Sequence, residues 1–264
     1  MGSFEELVAE GERVPLGGFD FSWFEGRATE QRPSWGYLGL ASRAIGAAGS
    51  VLDLETGGGE VFCQALERAP SLPVVVAATE TWEPNVTLAS RRLERFGALV
   101  VQTREGGPLP FATGSLDLAI SRHPVAPDWT EIARVLAPGG AYLSQQVGES
   151  SNRELYERLM GPQPGGSSRS ARRAREGAET AGLQVTRLED EALEVVFFDI
   201  EAVVHFLRKV PWTVPGFTVS RYRDELRGLH DEIERTGRFV AHARRMLVEA
   251  VKPTNDHRDR PAES

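Results

Sequence analysis

The chain has one cysteine, Cys63, in 264 residues. That excludes an internal disulfide and any Cys-rich zinc site, and no metal centre is expected. With no disulfide to preserve, a reducing cytoplasm is the simplest compartment. No run of about 18 apolar residues occurs, so no membrane-spanning helix is expected. The N-terminal stretch "MGSFEELVAEGERVPLGG" is acidic and broken by glycine and proline, unlike a signal peptide. Positive charge is also scarce: 30 Lys and Arg stand against 38 Asp and Glu, for a net charge of -8. That balance argues against a broad nucleic-acid or anionic-membrane footprint. There is no internal repeat. What is present is enough apolar content for a packed core, 41%, and a length that fits one domain with insertions or a small cap.

Short apolar runs alternate with helical stretches along residues 36–148. "SVLDL" (50–54), "PVVVAATE" (73–80), "ALVVQT" (98–103), the end of "LPFATGSLDLAISR" (109–122) and "AYLSQQVG" (141–148) read as strands. Between them, 60–69, 84–97 and 129–140 read as helices, the last closed by Pro-Gly-Gly. Such alternation predicts an α/β fold, a doubly wound, mostly parallel sheet with helices on both faces. Residues 1–35 are irregular and aromatic, as in a cap segment. After 148 come a Gly/Pro/Ser loop and a helix over 171–182. One or two strands follow, then helices over 201–210 and 221–237, and a final strand over 242–253. A lid insertion is expected at about 199–240 and a frayed tail at 254–264. The whole is read as a single domain.

In an open parallel sheet, ligands bind outside the carboxyl ends of the strands, near the point where strand order reverses. The first of those ends carries "DLETGGGE", with Asp53, Glu55, Thr56, Gly57 and Gly59. Glycines there admit a ligand to the backbone, and serve equally in a plain turn. Glu80 ends the second strand, placed to accept hydrogen bonds from a ribose diol. Thr81 and Trp82 follow it, the indole able to cover an adenine face or to cap the core. Glu105 precedes Gly106 and Gly107, where a carboxylate and backbone N–H groups can meet a purine edge. No lysine follows the glycines, so this is not a phosphate loop. Several carboxylates around one crevice would repel a pyrophosphate and suit a nucleoside carrying positive charge.

Four segments, in order and at familiar spacing, carry a family likeness: "VLDLETGGGE", "VVAATETWEPNVTLA", "GGPLPFATGSLDLAISR" and "WTEIARVLAPGG". Together they resemble a class I S-adenosylmethionine-dependent methyltransferase, of the methyltransferase type 11-like kind, over roughly 36–148. The resemblance implies a seven-stranded sheet whose last strand is antiparallel, with S-adenosyl-L-methionine as cofactor and S-adenosyl-L-homocysteine as product. It puts Asp53, Gly57 and Gly59 near the methionyl part, Glu80 on the ribose, Thr81 and Trp82 beside the adenine, and Glu105 with Gly106 at the adenine amine. It turns Ser121, Arg122 and His123 toward the acceptor. Glu55 departs from the family pattern, which has glycine there. Its carboxylate either points to the protein or pairs with the positive end of the cofactor.

Methyl transfer is a direct displacement that mainly requires positioning. His123 is the candidate base and Arg122 the candidate substrate anchor. Both also have plain structural readings, in holding a loop or pairing with a carboxylate. Gln145 and Gln146 alternate, so only one can face the crevice. Trp23, Arg27, Trp35, Tyr37 and Trp212 are candidate pocket residues; Arg27 suits a cofactor carboxylate or a structural ion pair equally. An aromatic cap suggests a small organic acceptor methylated on O, N or C, in a monomer or homodimer. The competing readings are an RNA base methyltransferase, for which "SSRSARRAR" (167–175) is the only basic run, and a non-catalytic cofactor-binding protein with the same fold. That basic run reads more simply as a solvated helix face.

Overall fold

The computed structural model describes residues 2–16, 21–166 and 168–254. In chain order its elements are α1 (Phe4–Arg13), β1 (Ala28–Glu30), α2 (Tyr37–Ala47), β2 (Ser50–Leu54), α3 (Glu60–Arg68), β3 (Val75–Glu80), α4 (Glu83–Leu93), β4 (Leu99–Gln102) and β5 (Leu116–Arg122). There follow α5 (Trp129–Val135), β6 (Leu136–Val147), α6 (Arg153–Met160), α7 (Ala171–Thr180), β7 (Gln184–Phe197), α8 (Ile200–Lys209), α9 (Arg223–Thr236) and β8 (Phe239–Val251).

One sheet has the order β1-β7-β8-β6-β5-β2-β3-β4. β4, β3, β2, β5 and β6 run parallel to their neighbours. Gly140 pairs with Lys252 and Gly148 with Arg244, so β8 runs antiparallel to β6. The chain steps outward from β2 to β4 and then returns to β5 on the other side of β2. Strand order therefore reverses between β2 and β5, which is where a crevice opens in such sheets. The mostly parallel α/β sheet is as the sequence predicts, but it has eight strands rather than seven. The addition is β1, a three-residue edge strand antiparallel to β7.

The described chain forms two compact units. One comprises Met1–Arg32, Gly148–Ser167 and Glu191–Arg245; the other comprises Pro33–Val147, Ser168–Asp190 and Met246–Ser264. The first therefore holds most of the expected cap segment and the expected lid insertion. Its core is Phe4, Val8, Phe197, Leu207, Leu226 and their neighbours. The second packs α2 and α3 on one face of the sheet, around Ile45, Phe62, Val51 and Ile120. On its other face α5 and α7 pack against Leu52, Ala119 and Tyr142. The tail expected at 254–264 lies, from 255 onward, outside the described residues.

Two local expectations change. Residues 4–13, read as irregular, form an amphipathic helix. Ser3 and Glu6 close a capping box at its start, which satisfies two otherwise orphaned N–H groups. Gly11 breaks the apolar pattern for a packing reason: a Cβ there would come 2.6 Å from the Glu201 carbonyl oxygen of α8. The second change is at 136–140. The helix from Trp129 stops at Val135, and "LAPGG" is already extended, with Leu136 paired to Leu116 across an irregularity. Gly139, at φ +81°, donates to the Lys252 carbonyl, so sheet bonding rather than a helix stop uses the glycines.

Gly59, at φ +78°, opens α3 and lies against α4, where an added Cβ would meet Leu93 at 3.3 Å and Ala89 at 3.4 Å. Gly57, at φ +62°, has open space at the same point. A left-handed L-residue costs about 1–2 kcal/mol, and crowding adds to that only at 59. Gly59→Ala is expected to lower the thermal midpoint more than Gly57→Ala, with both below the parent. Equal losses in thermal melts would show that the α3–α4 contact is unimportant.

Candidate functional site

β2 and β3 end side by side, with Asp53 paired in register to Ala78, and the loop after β2 turns back over the end of β3. The Thr56 N–H donates to the Thr79 carbonyl at 2.9 Å. Glu80, 7% exposed, completes the junction. One carboxylate oxygen accepts from the Gly57 N–H at 2.8 Å. The other accepts from the N–H groups of Thr81 at 2.8 Å and Trp82 at 3.0 Å. Three charge-assisted bonds from two loops thus converge on one buried acid. A carboxylate has about four acceptor positions, so one, on the oxygen facing Gly57, is left for a ligand.

Glu55 stands at φ +55°, in the left-handed region where the family pattern has glycine. Its side chain points to the protein and accepts from the Val125 N–H at 2.8 Å. It thereby ties the β2 loop to the loop after β5. Burial pushes its carboxyl up from the ordinary range; the Val125 bond opposes that, and the charges of Glu80 and Glu105 add to it. Asp53 is more extreme. Burial raises it to about 7; the Thr56 hydroxyl pulls it down, Glu80 pushes it up, and Arg122 pulls it down. The Thr56 hydroxyl is itself buried without a hydrogen bond of normal geometry. Gly57 and Gly106, both at positive φ, have nothing within 4 Å of where a Cβ would stand. The Thr56 hydroxyl, two open glycine backbones and several carboxylates form a cradle suited to a polar cation. Glu105, Thr81 and Trp82 are exposed at its edge, the indole at 55%.

On the same sheet face a hydrogen-bond chain resolves the question of the two glutamines. Trp35 Nε1 donates to Gln145 Oε1 at 2.9 Å, and Gln145 Nε2 meets His123 Nε2 at 3.0 Å. An indole N–H can only donate, so the oxygen of Gln145 must face Trp35 and its NH2 must face the histidine. His123 Nε2 is then an acceptor, and the ring proton sits on Nδ1. The lone pair that a base would use is engaged by Gln145, which is a structural arrangement rather than a poised base. His123 is also held at φ +59°, and its backbone N–H donates to the Gln145 carbonyl at 2.6 Å. Tyr37 is buried beside this chain. Its hydroxyl donates to the Ser121 carbonyl at 3.0 Å, and burial, with Asp53 next, pushes it well above its ordinary range. Trp35 and Tyr37 are therefore packed and hydrogen-bonded rather than free pocket walls.

The remaining predicted residues lie elsewhere. The Ser121 hydroxyl faces the other side of the sheet, bonded to Tyr142 at 2.7 Å and Ser144 at 2.8 Å. Arg122 lies on the Asp53 face and is exposed. Trp23 and Arg27 belong to the other compact unit. The guanidinium lies 4.6 Å over the indole and pairs with Glu10, Asp199 and Glu201, which is the structural ion pair. Trp212, in that unit too, is 59% exposed. Sequence reasoning missed Thr79, Val125 and the Trp35–Gln145–His123 chain. Thr79 and Val125 act through backbone groups or a short hydroxyl, for which residue type carries no signal.

No protein-family model and no curated protein matches the sequence. Solved structures do match in fold. A Bacillus halodurans C-125 protein bearing the name of a methyltransferase has a TM-score of 0.56 at 19% identity, over 82% of this chain and 97% of that one. Geranyl diphosphate C-methyltransferase from Streptomyces coelicolor A3(2) has 0.50 at 12%, over 81% and 78%. The [4+2]-cyclase SpnF has 0.50 at 18%, over 83% and 80%. At these identities the likeness is one of fold: the chain has the class I methyltransferase fold. The same fold also carries a cyclase, so activity must be argued from the site.

Two outcomes follow from the junction. Glu55→Ala loses the Val125 bond and keeps an L-residue at φ +55°, whereas Glu55→Gly loses the bond and relieves the backbone. The glycine variant is expected to be the more stable by about 1 kcal/mol in denaturant titrations; an alanine variant of equal stability would remove the strain. For Asp53, the folded state holds the proton to about pH 7 while the unfolded chain releases it near its ordinary value of 3.8. The folded state then binds the extra proton, so this group's contribution to stability falls as pH rises from about 4 to 7. Asp53→Asn should flatten that fall, with the gap between variant and parent widest above pH 7.

Proposed function

We propose that this chain is an S-adenosylmethionine-dependent methyltransferase acting on a small organic molecule. The observation that carries the reading is the acidic junction at the ends of β2 and β3, where Asp53, Glu55 and Glu80 gather around the Thr56 hydroxyl and the open Gly57 backbone. A cofactor bearing a sulfonium and an ammonium is the cationic nucleoside that such a cradle suits. The fold supports it, because ligands of open parallel sheets lie at this reversal of strand order.

In this reading Glu80 uses its remaining acceptor position for a ribose hydroxyl, and Gly57 and Thr56 meet the methionyl part. Glu105 and Gly106 stand at the base, with Trp82 free to turn over its face. When bound, the cofactor supplies a methyl group on positively charged sulfur, ready for direct displacement by an acceptor atom. The protein's share is positioning and exclusion of water. The Glu55–Val125 bond holds the loop after β5 in place, and Gln145 holds His123 as a neutral wall. His123 is thus a positioning residue rather than the base. A second reading, a protein that keeps the fold without transfer, rests on one observation: three N–H groups already occupy Glu80.

Calorimetric titration with S-adenosylmethionine and S-adenosylhomocysteine separates the two. Binding of both is expected, with affinity rising several-fold between pH 6 and 7.5 as Asp53 ionises beside the cation, and with that rise abolished in Asp53→Asn. Absence of binding across this range would sink the methyltransferase reading. Binding of both ligands without release of S-adenosylhomocysteine in a broad acceptor screen would favour the second.

A further inference from the structure

A cavity of about 350 Å³ opens on the opposite face of the sheet from Asp53. Its walls include Pro124, Trp129, Gln146, Arg169, Arg173 and Met246, and all its lining residues belong to one compact unit. Three independent features give it a polarity. The first is the start of α7. Ser170 caps the helix by accepting from the Arg173 N–H, which leaves the Ala171 and Arg172 N–H groups without a helical partner. Helix N-termini of this length favour anions.

The second feature is charge in an unfavourable place. The first turn of α7 carries arginines and no acid, against the sense of the helix dipole. Arg172 and Arg175 offset this by pairing with Glu176 and Glu179, one turn on. Arg173 and Arg169 face the cavity instead, and neither forms an ion pair among the described residues. The run read from the sequence as one solvated helix face is therefore divided: alternate arginines are paired outward, and the others are turned to a cavity.

The third feature is Gln146, 7% exposed, whose Nε2 is buried with no hydrogen-bond partner of normal geometry among the described residues. The neighbouring Tyr142 hydroxyl is bonded to Ser121; Gln146 lies close enough to pull its pKa down, but no hydrogen bond of normal geometry joins the two. A buried donor left without an acceptor is costly. An acceptor entering the cavity would supply that partner.

We propose that this cavity is a binding site for a small organic phosphate. The phosphate sits between Arg169, Arg173 and the start of α7, takes a hydrogen bond from Gln146 Nε2, and leaves the organic part against Trp129 and Met246. Two guanidiniums, an amide and a helix start match a dianion with several acceptor oxygens better than a single carboxylate. The site does not depend on the methyl-transfer reading. It shares one wall with it, since Val125 lines the cavity and is the residue that Glu55 holds.

The test is titration of the full chain, without cofactor, using phenyl phosphate, benzoate and benzyl alcohol, followed by calorimetry and by Trp129 fluorescence in a Trp129→Phe comparison. Phenyl phosphate is expected to bind saturably, at least fivefold tighter than benzoate and tenfold tighter than benzyl alcohol. The double variant Arg169→Gln with Arg173→Gln should lose at least tenfold, while Arg172→Gln with Arg175→Gln, which removes the same two charges from paired positions, stays within twofold of the parent. Gln146→Leu should weaken binding severalfold with an unchanged or raised thermal midpoint, because it removes an unpaired buried amide. No saturable binding, equal affinity in parent and double variant, or benzoate binding as tightly as phenyl phosphate would each overturn the proposal.

Discussion

One buried carboxylate organises the candidate site. Glu80 gathers N–H groups from the loop after β2 and from its own turn after β3. Without it, three backbone donors at the mouth of a parallel sheet would be orphaned at once, and the two loops would have nothing in common. A buried charge is tolerable only when it is hydrogen-bonded in this way. The bonds also concentrate negative charge where Asp53 and Glu55 already stand. The consequence is visible in both neighbours, since Glu80 pushes each of them toward the protonated form. A site built so carries closely spaced carboxylates that repel one another, and that is the physical content of calling it suited to a cation.

Glu55 connects this centre to the rest of the molecule. A glycine at that position would take the left-handed backbone without strain, and could not reach Val125. The glutamate accepts the strain of φ +55° and in return fixes the loop that follows β5. His123, in that same loop, is likewise left-handed and held by Gln145. Two left-handed residues, one just after β2 and one just after β5, each secured by a side-chain bond, describe a stiffened crevice. Strained backbone persists only where surrounding structure over-determines it, and it gathers at functional sites.

The parallel core was legible because buried strands are continuous apolar runs, and "VLDL", "VVAATE" and "LDLAIS" can be little else. Glu80 and the glycine loop were legible because position at a strand end gives them meaning. Other features resisted for definable reasons. Gly11 hid α1, since a glycine chosen for close approach to α8 looks in sequence like a break. "LAPGG" looked like a helix stop, because whether a Pro-Gly-Gly ends a helix or enters a sheet depends on whether Lys252, over a hundred residues away, is there to pair with it. Arg27 was undecidable, because Glu10, Asp199 and Glu201 come from segments remote in sequence.

The pair Gln145 and Gln146 shows how far a period of two can carry chemistry. Adjacent in sequence and alike in side chain, they face opposite sides of one strand. Gln145 is saturated: an indole fixes its oxygen and a histidine takes its amide, so that face of β6 ends in a closed, neutral chain. Gln146 is also buried, and its amide nitrogen has no hydrogen bond of normal geometry among the described residues. No local preference distinguishes the two; only what the neighbouring elements bring does. On one side α2 and its preceding loop bring Trp35 and Tyr37, which finish the hydrogen bonding. On the other, α7 and the loop before it bring a helix start and two arginines, Arg169 and Arg173, which add donors rather than acceptors. One strand thus presents a closed hydrogen-bonded chain to one face and an unmet donor to the other, and the Glu55–Val125 bond is the contact by which the acidic crevice and that basic cavity share a wall.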